Sequence, residues 1–304
     1  MTVDNLLSLF DSSVVRTVAV GAAMLGLVAG AVGAFAVLRR QSLQGDVVSH
    51  AALPGVAVAF LLGGRTPFEL IVGGAVAGWL ALVLVGVVNR RSRVPFDAAL
   101  GGALAVFFGL GLVLMVYIQR NVPGASQHPL DRYLFGQAAI LQDRDIETIR
   151  WLGAGTLLVL AVFWKELKLL SFDPDYAASV GMPVRRLELL LTTLTVTAVV
   201  IGLKAVGVVL MTALLIAPAV AARQWTNQLG RVVLLAGLFG ALAGAVGTAV
   251  SFLPGSKTSL PTGPTIVLTA TALVVVSLLF GSARGVVRKW FRATHRPSPS
   301  ASEV

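Results

Sequence analysis

Apolar residues occur in long runs broken by short polar stretches. Nine runs approach the length of a membrane crossing: 17–38, 42–63, 68–88, 98–118, 146–164, 187–203, 205–222, 232–253 and 265–281. A helix needs about 20 apolar residues to cross the hydrocarbon layer. The pattern therefore predicts an all-α fold, a polytopic transmembrane helical bundle of about nine spans, with eight as the alternative count. The first run has 22 residues, which is long for the core of a secretory signal, so no cleavable leader is expected.

The polar breaks divide one domain, 1–304, into spans and loops. The longest break, 119–149, carries Pro123-Gly124 and the acids Asp131, Asp143, Asp145 and Glu147, with a short surface helix expected over 130–141. A second insertion covers 171–186. A Gly/Pro/Ser/Thr loop covers 254–264. The tail is basic and then Ser/Pro-rich, and 297–304 is expected to be disordered.

Composition agrees with this reading. The chain is 56% hydrophobic and 12% charged, against about 25% charged in soluble domains. Its 32 glycines suit helices that approach closely in a membrane. The net charge of +10 could suggest nucleic acid, but the distribution of Lys and Arg assigns it to topology. With alternating spans, 16 of the 24 basic residues fall on one side and 8 on the other. The rule that cytoplasmic loops are richer in Lys and Arg puts the N-terminus outside and the C-terminus in the cytoplasm. There is no cysteine, which excludes disulfides and thiolate metal sites. No phosphate-binding loop of Walker type and no Ser/His/Asp or Cys/His arrangement is present, so the chain is not expected to be an enzyme.

The candidate chemistry sits in 42–55, SLQGDVVSHAALPG. Asp46 and His50 are four residues apart, on one face of a helix. Ionisable groups at membrane depth are costly and mark ion routes. A carboxylate and an imidazole suit Mn, Fe and Zn alike, and two ligands bind weakly enough for an ion to leave. The spacing also allows another reading, in which Asp46 caps a helix start and His50 is hydrogen-bonded. His128 and His295 read as solvated, and Asp97 as a helix-start carboxylate.

Three further stretches stand out. In 172–183, FDPDYAASVGMP, Asp173 reads as an N-cap, Pro174 as the first helical residue and Gly181 as the stop. The result is a helix of about two turns with Ala177, Ala178 and Ser179 on its surface. It either fits a groove on another protein or is an interfacial connector. Pro218, deep in a span, frees a carbonyl and acts as a hinge or a static kink. The stretch 260–268, LPTGPTIVL, puts Thr262, Gly263 and Thr265 at the outer surface, shaping an entrance or a turn.

Together these stretches resemble the membrane permease subunit of bacterial ABC importers for zinc, manganese or iron. The resemblance is carried by Arg39-Arg40 leading into 42–55, by 172–183, by 206–223 (VGVVLMTALLIAPAVAAR), by 260–268 and by Leu134-Phe135-Gly136. These follow the family's order over nearly the whole chain, and GDVVSHAALPG is the most specific of them. The resemblance implies an importer permease fold in the bacterial inner membrane. It implies a homodimer served by cytoplasmic ATP-binding subunits and by an extracytoplasmic metal-binding protein. It implies that 171–186 is the loop of a coupling helix, with Asp173, Asp175, Ala177 and Gly181 at matching positions. It implies that Asp46 and His50 match the family's in-membrane metal site. No permanently bound cofactor is expected, only the transported divalent ion. Two other readings stay open. One is a permease for chelated metal (siderophore, haem or cobalamin). The other is a secondary cation transporter without an ATPase, a class often built from repeated halves; no convincing repeat is found here.

Overall fold

The computed structural model describes residues 13–64, 66–122, 143–253, 260–283 and 285. Among them are eleven α-helices and no strand. They are α1 (Ser13–Leu38), α2 (Gln44–Leu61), α3 (Pro67–Arg91), α4 (Phe96–Asn121), α5 (Asp143–Val162), α6 (Trp164–Phe172), α7 (Pro174–Ser179), α8 (Val184–Val206), α9 (Val208–Arg223), α10 (Leu229–Ser251) and α11 (Thr262–Phe280).

Local chemistry sets the ends of these helices. The hydroxyl of Thr66 accepts from the Glu69 amide at 3.3 Å, and Glu69 Oε2 accepts from the Thr66 amide at 3.0 Å, so a capping box opens α3 with Pro67 behind it. Helices α2 and α7 end on glycines with positive φ, Gly63 at 97° and Gly181 at 82°. In each, the next amide reaches back to close the last turn: Gly64 to the Ala59 carbonyl, Met182 to the Ala177 carbonyl. Helix α1 ends the same way, with the Gln41 amide on the Ala36 carbonyl at 2.8 Å. There the left-handed residue is Arg40, with φ 57°.

Small residues let the helices touch backbone to backbone. Helix α1 runs antiparallel to α10, with Ala22 against Gly244, Gly26 against Gly240 and Gly30 against Ala236. A side chain at either Gly26 or Gly240 would collide with the partner's carbonyl. Helix α2 packs antiparallel on α3 through Gly55–Gly73 and Val48–Gly78, and Gly111 of α4 meets Leu53 and Pro54 of α2. Two large apolar clusters result. One surrounds α2 with α1, α3, α4, α8 and α9. The other joins α1, α6, α8 and α10 at the end of the bundle where Leu38, Leu187, Ala222 and Leu229 meet.

The expected nine spans are not upheld. Among the described residues six helices are long and apolar enough to cross a membrane: α1, α3, α4, α8, α10 and α11. The count rises to seven if α5 and α6, bent by 71° at Phe163, form one span. Helix α2 falls out because its 18 residues include Gln44, Asp46, Ser49 and His50, and it reaches only about 27 Å. Helix α9 reaches about 24 Å with 16 residues. Hydropathy reads how apolar a run is and says nothing of what surrounds it. Helix α2 is enclosed by other helices, with thirteen buried residues including Pro54. It still runs through the bundle. The C-terminal ends of α1 and α3 and the start of α8 all meet at Glu188, which pairs with Arg39 at 3.0 Å and Arg90 at 3.4 Å. The chain therefore returns through α2 between those two ends.

Three earlier expectations, the helix over 130–141, the motif Leu134-Phe135-Gly136 and the tail 297–304, lie outside the described residues.

Candidate metal centre

Helix α2 carries the polar pair inside the bundle. Leu43 precedes it and makes no side-chain cap. Asp46 stands in the first turn, where the positive end of the helix dipole favours a carboxylate. His50 follows one turn later, edge-on to Phe108 of α4, with ring centroids 4.8 Å apart and planes at 73°. Both side chains are half-buried. The buried Nδ1 of His50 has no hydrogen-bond partner, and neither has the neighbouring Ser49 hydroxyl. Helix α2 thus shows neither a side-chain cap at Leu43 nor a hydrogen bond at His50 Nδ1. Pro54, also in α2, has no N–H to give the His50 carbonyl four residues back. The helix thus offers a carboxylate and an imidazole nitrogen without a partner one turn apart.

Among the described residues the pair stands without a third His, Cys, Asp or Glu ligand. Among the described residues no group of three or more His, Cys, Asp or Glu could hold a metal. A divalent ion at Asp46 and His50 would complete its shell with water, backbone oxygen or a second copy of the chain. Such an incomplete shell suits an ion in passage better than a resident one.

The loop 171–186 is built as its sequence predicts at both ends. Asp173 caps α7, its Oδ1 accepting from the Tyr176 amide at 2.9 Å, and Pro174 begins the helix. Gly181 ends it in the left-handed region. Asp173, Asp175 and Gly181 are exposed, but Ala177 is fully buried. Ala177 therefore anchors α7 to its own bundle and is not on the outer surface as expected. Around it Tyr176 of α7, Val180 at its C-cap and Phe172 at the end of α6 are each more than half exposed.

One other expectation changes. Thr262, Gly263 and Thr265 are buried and do not line an outer surface; the Thr262 hydroxyl pairs with that of Ser251 at 2.8 Å. Pro218 is buried within α9, which stays helical on both sides of it. The sequence reading missed the Glu188 ion pairs altogether, because residues 149 and 98 positions apart give no local signal.

Comparison with known proteins places these features in context. The ABC 3 transport family profile matches residues 11–281. The chain is 45% identical over 288 residues to the zinc transport system membrane protein TroC of Treponema pallidum (strain Nichols), covering 94% of this chain and 95% of that protein. It is 44% identical over 274 residues to the manganese transport system membrane protein MntC of Bacillus subtilis (strain 168), covering 90% of this chain and 62% of that one. Among solved structures, PsaBC from Streptococcus pneumoniae in complex with Fab superposes with a TM-score of 0.79 at 31% identity, over 95% of this chain and all of that one.

Proposed function

Since the chain belongs to the ABC 3 transport family, we propose that it is the membrane permease of an ATP-driven importer for divalent transition-metal ions. Its cargo is zinc or manganese, with iron as a further candidate that the same donor set accepts. The observation that carries the proposal is the Asp46–His50 pair on an enclosed helix, with a buried imidazole nitrogen left free of partners. The printed functions of relatives over 40% identical support the cargo class.

In this reading two copies of the chain pair in the bacterial inner membrane. An extracytoplasmic binding protein delivers the ion, and Asp46 and His50 hold it briefly on its way to the cytoplasm. Helix α7 couples the permease to cytoplasmic ATP-binding subunits. Asp173 and Gly181 fix its two ends, Ala177 ties it to the bundle, Asp175 is free to meet the partner, and the exposed Phe172, Tyr176 and Val180 form its docking face. The chain itself hydrolyses nothing. The N-terminus lies outside and the C-terminus inside, with the Arg39–Arg90–Glu188 end of the bundle in the cytoplasm. Pro218 serves as a hinge in α9.

Uptake by the reconstituted complex, with Zn and Mn presented in parallel, tests this reading. It should require ATP and the partner ATPase, and should concern the bare ion. Tyr176→Ala should weaken ATPase binding and lower uptake while leaving the bundle folded. Uptake abolished only by membrane depolarisation would instead identify a secondary transporter. Cargo retained only as a chelate would identify a permease for bulky ligands.

A further inference from the structure

At the Arg39 end of the bundle lies a cavity of about 260 Å³ between the α1–α2 turn, α3, α4 and α8. Its polar wall holds three guanidiniums, those of Arg39, Arg90 and Arg185. Among its described lining residues the one acid is Glu188. Glu188 pairs with Arg39 and Arg90, so three positive charges share one negative charge. Arg185 takes part in neither pair. Gln41, Gln44 and Asn89 add neutral donors to the same wall, and the Gln44 amide already donates to the Gln41 side chain at 3.1 Å. Helix α8 begins beside the cavity with no side-chain cap and no acid in its first turn, so its dipole adds to the positive potential. The rest of the lining is apolar, including Leu82, Val83 and Leu189.

We propose that this cavity binds a phosphate group. Planar guanidiniums bind phosphate oxygens by paired, charge-assisted hydrogen bonds. An uncompensated cluster of them between membrane helices is the pattern that holds anionic headgroups. The apolar lining beside the arginines suits a phosphate carried on a lipid. A soluble phosphate would use the same arginines. Asp46 and His50 do not line this cavity, and the site is independent of which cation the chain carries. Glu188 competes with the ligand for Arg39 and Arg90, so its charge sets the affinity.

Native mass spectrometry of the full chain in detergent, titrated with phosphatidylglycerol and with phosphatidylcholine of the same acyl chains, tests the proposal. Calorimetry with inorganic phosphate runs beside it. Phosphatidylglycerol should bind about tenfold more tightly than phosphatidylcholine. Arg185→Gln, which breaks neither ion pair, should lower that affinity about fivefold. Glu188→Gln should raise it. If inorganic phosphate shows the same dependence on both variants while the two lipids bind alike, the ligand is soluble phosphate and the site stands. If neither phosphate nor phosphatidylglycerol responds to either variant, or if Glu188→Gln weakens binding, the proposal is overturned.

Discussion

Asp46 and His50 are costly residues for an enclosed helix, and the buried Nδ1 of His50 is left without a hydrogen-bond partner. A buried imidazole nitrogen without a partner forfeits about 1–3 kcal/mol, which a structural histidine would recover from a neighbour. The helix dipole favours the Asp46 carboxylate, and the Phe108 ring packs edge-on to His50. That the pair lies one turn apart on a single helix was legible from spacing. Its enclosure was not, because the ring packed on His50 comes from residue 108. The caps of α7 were equally legible, since Asp173, Pro174 and Gly181 each act within one turn of their own position. Arg40 was not: nothing marks an arginine in advance for φ 57°. Gly181→Ala should destabilise the loop by about 1–2 kcal/mol, because a Cβ disfavours the left-handed region. Denaturant unfolding in detergent would read the loss, and an unchanged midpoint would contradict it.

At the scale of elements, the sequence marks where helices are but not which of them meet lipid. Helix α2 reads as a span by its apolar residues and is internal by its neighbours. The bend between α5 and α6 falls at Phe163, in a stretch with neither Pro nor Gly to announce it. Close helix pairing is where glycine matters most. Gly26→Ala should cost at least about 1–3 kcal/mol, since the added methyl meets the Gly240 carbonyl and the α1–α10 pair must separate. Gly155→Ala in α5, where nothing lies within 4 Å of the new atom, should be neutral or stabilise by up to about 1 kcal/mol through helix propensity. Thermal unfolding of both variants in one detergent separates packing from propensity. Equal midpoints would contradict the close pairing.

In the whole molecule, the chain enters the enclosed helix α2 and leaves the exposed helix α7 at the same end of the bundle, where Arg39 pairs with Glu188. The return of the chain through α2 gives a topological expectation. The chain has no cysteine, so single replacements report cleanly on sidedness. Leu62→Cys, after α2, and Ser92→Cys, after α3, should label from opposite faces of the membrane, Ser92→Cys from the cytoplasm. Labelling from one face would mean that α3 does not cross. The central claim is that Asp46 and His50 carry the ion, and uptake of radioactive Mn and Zn by the complex in proteoliposomes tests it most directly. With the dimer and its ATPase assembled normally, Asp46→Ala and His50→Ala should each reduce ATP-driven uptake at least about tenfold, the loss of one ligand from a weak site. Uptake at the wild-type rate in either variant would contradict the account.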